Sequence, residues 1–291
     1  MSILLKSNID HDAESFDSLA ALYNHTKEIV FDEIIIDMRE TEWFAADMCA
    51  VFGAILHSLG NRLNEVKLIN INSAVEEILS KNGFLSHYGV AQIPDEWHTT
   101  ISYKRFDITD ERHFANYIDS EFINRSEIPG MSDILLKKFR ESIFEIYSNA
   151  VLHSQTDRGV FSCGQFFPKQ ERLIFTVADL GVGIRTNINN YTDQELSAEE
   201  AIIWATKEGN STKPNGLPGG LGLKLLQDFI DLNGGRILIV SDTGYWQSKY
   251  SEVQTKLIEY PFPGTVVSVE INTADLNTYT LETELNSEDI F

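Results

Sequence analysis

Residues 177–184 read Val-Ala-Asp-Leu-Gly-Val-Gly-Ile, an apolar run that ends in a carboxylate and two glycines. The apolar run predicts a buried strand, and Asp179 stands where that strand ends. A carboxylate there can accept a hydrogen bond from the exocyclic amino group of adenine. Gly181 and Gly183 allow positive φ angles and a close approach of a flat base to the backbone. An ordinary strand-to-turn transition uses the same residue types, so this segment alone leaves both interpretations open.

A long amphipathic helix is predicted upstream, over residues 131–154. Glu145, Asn149 and His153 follow one another at four-residue spacing, so they project from one face of that helix. The amide oxygen of Asn149 is a suitable Mg²⁺ ligand, and Glu145 can deprotonate a hydroxyl or water that attacks a γ-phosphate. A solvated polar face is the alternative. For His153, a phosphate contact and no such role remain equally open.

A glycine-rich segment precedes a further predicted helix at 221–232. Glycines at a helix N-terminus expose N–H groups toward an anion, at the positive end of the helix dipole. The spacing matches neither the P-loop nor the dinucleotide-binding pattern, because Leu225 stands where the latter needs its last glycine. Upstream, Thr212 and Lys213 belong to a polar loop that suits a lid over a triphosphate, although a surface loop without a ligand is the alternative. The candidate phosphate-binding residues here are Thr212, Lys213, Gly219, Gly220, Leu221, Gly222 and Leu223.

Bulk composition excludes several classes of function. The 291 residues carry a net charge of −21, which argues against nucleic acid and anionic membranes as partners. The two cysteines, Cys49 and Cys163, are too few for a disulfide framework or a zinc site and are predicted to be buried free thiols. The longest apolar stretch, residues 43–60, carries polar side chains and predicts a buried helix rather than a membrane span. No signal-peptide pattern opens the chain, so we expect a cytoplasmic protein.

Strand and helix patterns alternate in the first third of the chain and predict an α/β fold with two domains. We place the boundary in the Pro- and Trp-containing segment 93–99, which gives an N-terminal domain 1–97, a second domain 98–273 and a frayed acidic tail 274–291. The predicted strands are 2–5, 33–37, 66–71, 100–106, 159–166, 172–178, 236–241 and 265–271. The other predicted helices are 12–27, 74–82, 111–124 and 198–207, with a polar loop between residue 184 and the last of these.

Together these motifs resemble the GHKL ATPase superfamily, which includes gyrase, the heat-shock chaperone, histidine kinases and MutL. Gly264-Thr265 resembles the last motif of that superfamily, in which the Thr hydroxyl helps to hold adenine through water. The resemblance spans roughly residues 98–273 and implies a two-layer α/β sandwich with a mixed sheet, which binds ATP or ADP with Mg²⁺ under a mobile lid. The matching boxes are Glu145-x-x-x-Asn149, Asp179-x-Gly181-x-Gly183-Ile184 and Gly220-x-Gly222-Leu223.

Within that superfamily the chain is most similar to the anti-sigma-factor and serine-kinase branch. The chain leaves no room for the transducer domain of the gyrase and MutL branches, and His98 and His113 lack the setting of a phospho-acceptor histidine. The resemblance then implies a protein-serine/threonine kinase or slow ATPase that switches a bacterial protein partner, with Glu145 as its base. A nucleotide-gated interaction module without turnover is the alternative, and a purely structural two-domain protein is a third.

The N-terminal pattern is similar to STAS domains, the usual targets of such kinases. That family is phosphorylated on a Ser or Thr at the start of the helix that follows the central strand. The corresponding stretch here, residues 43–47, has no hydroxyl, and Thr41 is the nearest one. The resemblance therefore implies a degenerate STAS-like domain used for docking or homodimerisation, with a STAS-like or sigma-regulatory protein as the external partner.

Overall fold

A computed structural model describes residues 1–210, residue 212 and residues 221–284, and only the backbone at residues 221 and 222. It shows an α/β protein with several small sheets, as expected. Its α-helices are α1 (Ala13–Thr26), α2 (Cys49–Gly60), α3 (Ser73–Lys81), α4 (Glu111–Ile118), α5 (Asp133–His153), α6 (Gly183–Thr192), α7 (Ala198–Thr206) and α8 (Leu221–Asn233). Its strands are β1 (Ser2–Leu4), β2 (Asn8–Ile9), β3 (Glu33–Asp37), β4 (Trp43–Phe44), β5 (Glu65–Ile69), β6 (Thr100–Phe106), β7 (Gly130–Met131), β8 (Val160–Phe167), β9 (Arg172–Asp179), β10 (Arg236–Lys249), β11 (Glu252–Asn272) and β12 (Thr278–Tyr279).

The N-terminal third forms a parallel three-stranded sheet in the order β1-β3-β5. Each crossover between parallel strands is a helix, as the alternating sequence pattern predicts. Helix α1 begins where the Asp12 side chain accepts a hydrogen bond from the Ser15 N–H at 2.7 Å. Its apolar stripe, with Phe16 and Leu19 fully buried, packs against the core.

The helix predicted over residues 43–60 is shorter than expected. Trp43–Phe44 is a strand that pairs with Asn8–Ile9, a 3₁₀ turn follows over Ala46–Met48, and α2 begins only at Cys49. The apolar run thus forms three elements, a strand, a 3₁₀ turn and a helix, which hydrophobicity alone does not separate. The prediction that α2 is buried is correct. In the part of the chain that the structure describes, no helix has the length and apolarity needed to cross a bilayer.

A five-stranded sheet dominates the rest of the chain, in the order β10-β11-β9-β8-β6. All four pairings are antiparallel, so the expectation of a mixed sheet was wrong. Strands β10 and β11 extend well beyond the predicted segments as a long hairpin ribbon. The ribbon contacts α1, where the Asp17 side chain accepts hydrogen bonds from the N–H groups of Glu259 and Tyr260, at 2.6 and 2.9 Å.

Both faces of this sheet are buried. Phe175 and Val177 of β9 belong to the apolar cluster that includes α5 and α8, whereas Ile174 and Ala178 belong to the cluster that includes α1 and α2. Successive side chains of a strand point to opposite faces, so a single strand contributes to both clusters. The core of the N-terminal third is therefore continuous with the sheet, while a connection without helix or strand runs from residue 89 to residue 99.

A buried polar cluster joins the N-terminal third to this sheet. His11 lies between two carboxylates, with Nδ1 2.5 Å from Asp10 Oδ1 and Nε2 2.6 Å from Asp47 Oδ2. Thr176 on β9 donates a hydrogen bond to the same Asp47 oxygen at 2.8 Å and lies 2.8 Å from the hydroxyl of Ser268 on β11. Burial by itself would lower the pKa of His11, but the Asp47 charge and both carboxylate hydrogen bonds outweigh it and raise the pKa to about 9.

The two cysteines are free and buried, as predicted. They come from the two sides of the same interface, Cys49 from α2 and Cys163 from β8. The side-chain nitrogen of Asn82 lies 3.2 Å from one sulfur and 3.4 Å from the other.

Residues 274–284 make defined contacts with the segment before α5, where a frayed tail was expected. Thr278–Tyr279 pairs in parallel with Gly130–Met131, just before α5. The Ser132 hydroxyl donates a hydrogen bond to the Glu284 carboxylate at 2.7 Å. Local composition does not predict these contacts, because they depend on a segment about 150 residues earlier. Residues 285–291 lie outside the described residues.

His11→Gln is expected to destabilise the protein most strongly near pH 6.5, because it leaves Asp47 buried without a cation. Breaking a buried pair in this way costs about 3–5 kcal/mol. The folded-state pKa of His11 is raised, so its contribution is fully present below the unfolded pKa of about 6.5 and is lost as pH rises through about 9. Urea unfolding of both proteins at pH 6.5, 8 and 9.5 measures this.

The matched control is His113→Gln, since His113 forms an exposed ion pair with Asp110. We expect no measurable change in stability for that variant. A His11→Gln penalty that stayed constant from pH 6.5 to 9.5 would contradict the assignment of a charged His11.

Candidate functional site

A cavity lies between α5 and one face of the five-stranded sheet. Its volume is about 160 Å³, roughly ten times the space that one water needs, so it is more than a packing defect. Helices α6, α7 and α8 contribute its remaining walls. The lining residues are Ser142, Glu145, Ile146, Asn149, Ala150, His153, Ser154, Val177, Asp179, Gly183, Ile184, Asn187, Ile188, Trp204, Ala205, Asn210, Thr212, Leu223, Ile239, Thr265 and Val267.

Asp179 and Thr265 line this cavity from the sheet. Asp179 on β9 and Thr265 on β11 are direct cross-strand partners, although 86 positions separate them in sequence. Asp179 is 3% exposed, and its Oδ1 accepts a hydrogen bond from the Gly181 N–H at 2.9 Å. Burial raises the pKa of Asp179 to about 7, and the backbone N–H groups of Gly181 and Thr265 offset only part of that effect. In the described part of the chain, no cationic side chain pairs with this carboxylate.

The glycines that follow Asp179 are needed for two different reasons. Gly183 has φ +77°, a left-handed conformation that glycine adopts at low cost. Gly181 does not use that freedom, since its φ is not positive. It is required by close packing instead, because a Cβ on Gly181 would lie 2.2 Å from the carbonyl oxygen of Ser154. Gly264, with φ +119°, makes a similar close approach to the Asp179 carbonyl.

The end of α5 is anchored to the loop after Asp179. The carbonyl of Ser154 accepts a hydrogen bond from the Val182 N–H at 2.8 Å, and the carbonyl of His153 accepts one from the Asn187 side chain at 2.7 Å. The last carbonyls of a helix lack partners within the helix, so these two bonds satisfy them and set the distance between α5 and the loop.

Sequence reasoning missed Asn187 and Ser241, which hold this loop in place. The Ser241 hydroxyl donates to the Gly264 carbonyl at 2.7 Å and accepts from the Ile184 N–H at 2.9 Å. Ser241 is buried on β10. Asn187 lies on α6, where the sequence predicts a polar loop, so that prediction was wrong. No local pattern marks either residue, because their partners are distant in sequence.

Helix α5 presents Glu145, Asn149 and His153 to the cavity, as their four-residue spacing predicts. All three side chains are half-buried, so the alternative of a fully solvated face does not hold. Nδ1 of His153 lies 3.5 Å from the hydroxyl of Thr212, which places the start of the predicted lid next to this helix.

Of the remaining residues predicted to bind the nucleotide, some line the cavity and others lie outside the described residues. Leu223 on α8 and Ile184 on α6 line the cavity. Leu221 and Gly222 form the start of α8. Trp204 and Asn210, which no sequence motif marks, also line the cavity, and the Asn210 side chain donates a hydrogen bond to the Trp204 carbonyl at 2.7 Å. Lys213, Gly219 and Gly220 lie outside the described residues.

The described side chains do not form a metal cage of their own. No group of three or more His, Cys, Asp or Glu residues suited to a metal ion occurs among them. A cation in this cavity would need oxygen ligands from a bound molecule in addition to Asn149, which is how Mg²⁺ is commonly held with phosphates.

Comparisons with known proteins assign no family. The chain matches none of the protein-family models, and no curated protein matches it. The residues that line the cavity are therefore the evidence from which a function is inferred.

Asp179→Asn is expected to stabilise the ligand-free protein at high pH. The folded-state pKa of Asp179 is raised above the unfolded value of 3.8. The contribution of this carboxyl group to stability is therefore fully present below about pH 3.8 and is lost as pH rises through about 7. Replacing the ionised carboxylate by a neutral amide should raise the free energy of unfolding by on the order of 2–3 kcal/mol at pH 8. Urea unfolding at pH 4 and pH 8 should show little gain at the lower pH.

Asp193→Asn serves as the control, because Asp193 is exposed and Asn tolerates its left-handed backbone conformation. Equal stability of the Asp179→Asn variant and the wild type at pH 8 would show that the Asp179 carboxyl group is not destabilised by burial.

Proposed function

We propose that this protein is a GHKL-type ATP- and Mg²⁺-binding enzyme, a protein-serine/threonine kinase or an ATPase, that switches a protein partner. One observation carries the proposal: a single cavity joins the buried Asp179–Thr265 pair on the sheet to Glu145 and Asn149 on α5. These are the residues that the motif resemblance assigns to adenine, to the metal and to catalysis.

The donor and acceptor groups of the cavity suit adenine at the Asp179 end. A buried carboxylate without a cationic partner is costly unless a donor reaches it, and the amino group of adenine is such a donor. Apolar side chains surround that end, including Val177, Ile184 and Val267, and match the faces of a planar base. Trp204 adds an aromatic wall.

Glu145 and Asn149 suit the phosphate end. ATP, when bound, supplies a transferable phosphoryl group together with oxygen ligands for Mg²⁺. Asn149 would complete the coordination of the ion with its amide oxygen. Glu145 would take the proton from a serine or threonine hydroxyl, or from water, which decides between a kinase and an ATPase.

We also propose that residues 1–97 have a STAS-like fold. The parallel sheet with helical crossovers supports it. Thr41 is 1% exposed, and its hydroxyl donates to the Lys6 carbonyl at 3.1 Å. Asp47 near the start of α2 is fully buried against the sheet. Neither position is available to a kinase, so this part serves as a fixed cover of the sheet rather than as a phosphorylation target.

Calorimetry with ATP tests the binding site. Wild-type protein is expected to bind ATP more tightly with Mg²⁺ than without it, and to prefer ATP to GTP. Asp179→Asn should weaken ATP binding at least about tenfold, because a charge-assisted hydrogen bond of about 1.5–3 kcal/mol is lost. Binding that equals wild type in this variant, or no ATP binding by the wild type, would refute the proposed site.

Phosphoryl transfer is tested with γ-labelled ATP on wild type, Glu145→Ala and Glu141→Ala. Glu141 lies one turn earlier on α5 and is exposed outside the cavity, so it is the matched control. Turnover or transfer should fall at least about 100-fold for Glu145→Ala only, since general-base catalysis contributes about 10²–10⁴-fold. ATP binding without measurable turnover in the wild type would instead favour a nucleotide-gated interaction module.

A further inference from the structure

Two equivalent loops lie side by side at the N-terminal ends of the neighbouring strands β3 and β5. The loop from α1 to β3 and the loop from α2 to β5 each have a bulky apolar residue two positions before the strand, Phe31 and Leu63. Both residues have left-handed backbones, with φ 56° and 61°. Both side chains point into solvent, 77% and 66% exposed, and Val30 beside them is 54% exposed.

A buried asparagine braces these two loops against each other. Asn64, 8% exposed, accepts a hydrogen bond from the Asp32 N–H at 3.0 Å. Its side-chain nitrogen donates to the carbonyls of Ile29 at 2.9 Å and Leu59 at 3.1 Å. The Phe31 N–H also donates to the Arg62 carbonyl at 3.4 Å across the loops. The apolar tips are therefore held in place by a dedicated polar support.

The fold does not explain why these positions carry Phe and Leu. A left-handed backbone is disfavoured for bulky residues, and Gly or Asn would adopt it at lower cost. Exposed apolar side chains also add nothing to the core and lower solubility. Backbone strain and exposed apolar surface that are held by a rigid support are typical of binding surfaces.

We propose that Val30, Phe31 and Leu63 form a docking surface for a basic segment of another protein that carries apolar side chains. The exposed carboxylates of Glu28 and Asp32 flank the apolar tips, and the half-buried Lys27 and Arg62 adjoin them in the same loops. The nearby Lys67 is shared between two further carboxylates, those of Glu33 and Glu65.

The overall charge favours a basic partner over a second copy of the chain. At a net charge of −21, two copies repel each other, whereas the field of the protein attracts a cationic segment. The apolar tips would then supply the buried centre of the interface, and the carboxylates its rim. This surface is separate from the cavity, so the proposal holds whether or not the protein binds ATP.

The test uses two labelled synthetic peptides with the same Leu- and Phe-rich centre, one flanked by lysines and the other by glutamates. Fluorescence anisotropy with the full chain should show binding of the lysine peptide, at least about tenfold weaker binding of the glutamate peptide, and weakening of the lysine complex by salt. Phe31→Ser/Leu63→Ser should reduce lysine-peptide binding at least about tenfold, whereas Leu276→Ser, at a 94% exposed position elsewhere, should not.

Phe31→Gly separates binding from folding. Glycine relieves the left-handed backbone, so this variant should unfold at a higher temperature than wild type and yet bind the lysine peptide at least about tenfold more weakly. No binding of the lysine peptide to wild type, equal binding of the two peptides, or unchanged binding to the double variant would overturn the proposal. Sedimentation that shows a dimer abolished by the double variant would assign the surface to a second copy and overturn it equally.

Discussion

The pairing of β9 with β11 is the constraint on which the rest of the structure depends. Apolar side chains project from both faces of the paired segments, residues 172–179 and 265–272, so each face needs its own cover. Helices α5 and α8 cover one face and leave the cavity, while α1 and α2 cover the other. Because side chains alternate along a strand, neighbouring residues of β9 serve different layers: Thr176 faces the N-terminal third and Val177 lines the cavity.

Two buried carboxylates on either side of this sheet show different solutions to the cost of desolvation. Asp47 is paired with His11 and hydrogen-bonded by Thr176, so its Oδ2 links the N-terminal third to the sheet, and removal of His11 would leave a buried charge uncompensated. Among the described residues, Asp179 has backbone N–H donors but no cationic partner, and burial raises the pKa of its carboxyl group to about 7. A carboxylate left in that condition at the wall of a cavity is typical of a ligand-binding residue rather than of a structural one.

Local sequence patterns predicted the elements whose burial follows a simple period. The bounds of β3 and β6 agree with the predicted segments 33–37 and 100–106, and α5 lies within its predicted range. Helix α6 was missed because its asparagines and threonines favour loops, and it is held by hydrogen bonds from Asn187 and by the buried Ile188. The ribbon of β10 and β11 was underestimated because Pro261 and Pro263 are unusual within strands.

The sequence by itself determined which side chains share one face of α5 and which residue ends β9. The spacing of Glu145, Asn149 and His153 places them on one helical face, and the run into Asp179 ends a strand, because helix and strand periods are local properties. Only the tertiary structure decided that Thr265 lies opposite Asp179, that Ser241 holds the loop, and that His11 joins the N-terminal third to the sheet. Those contacts depend on strand register and on desolvation between distant segments, which no local pattern encodes.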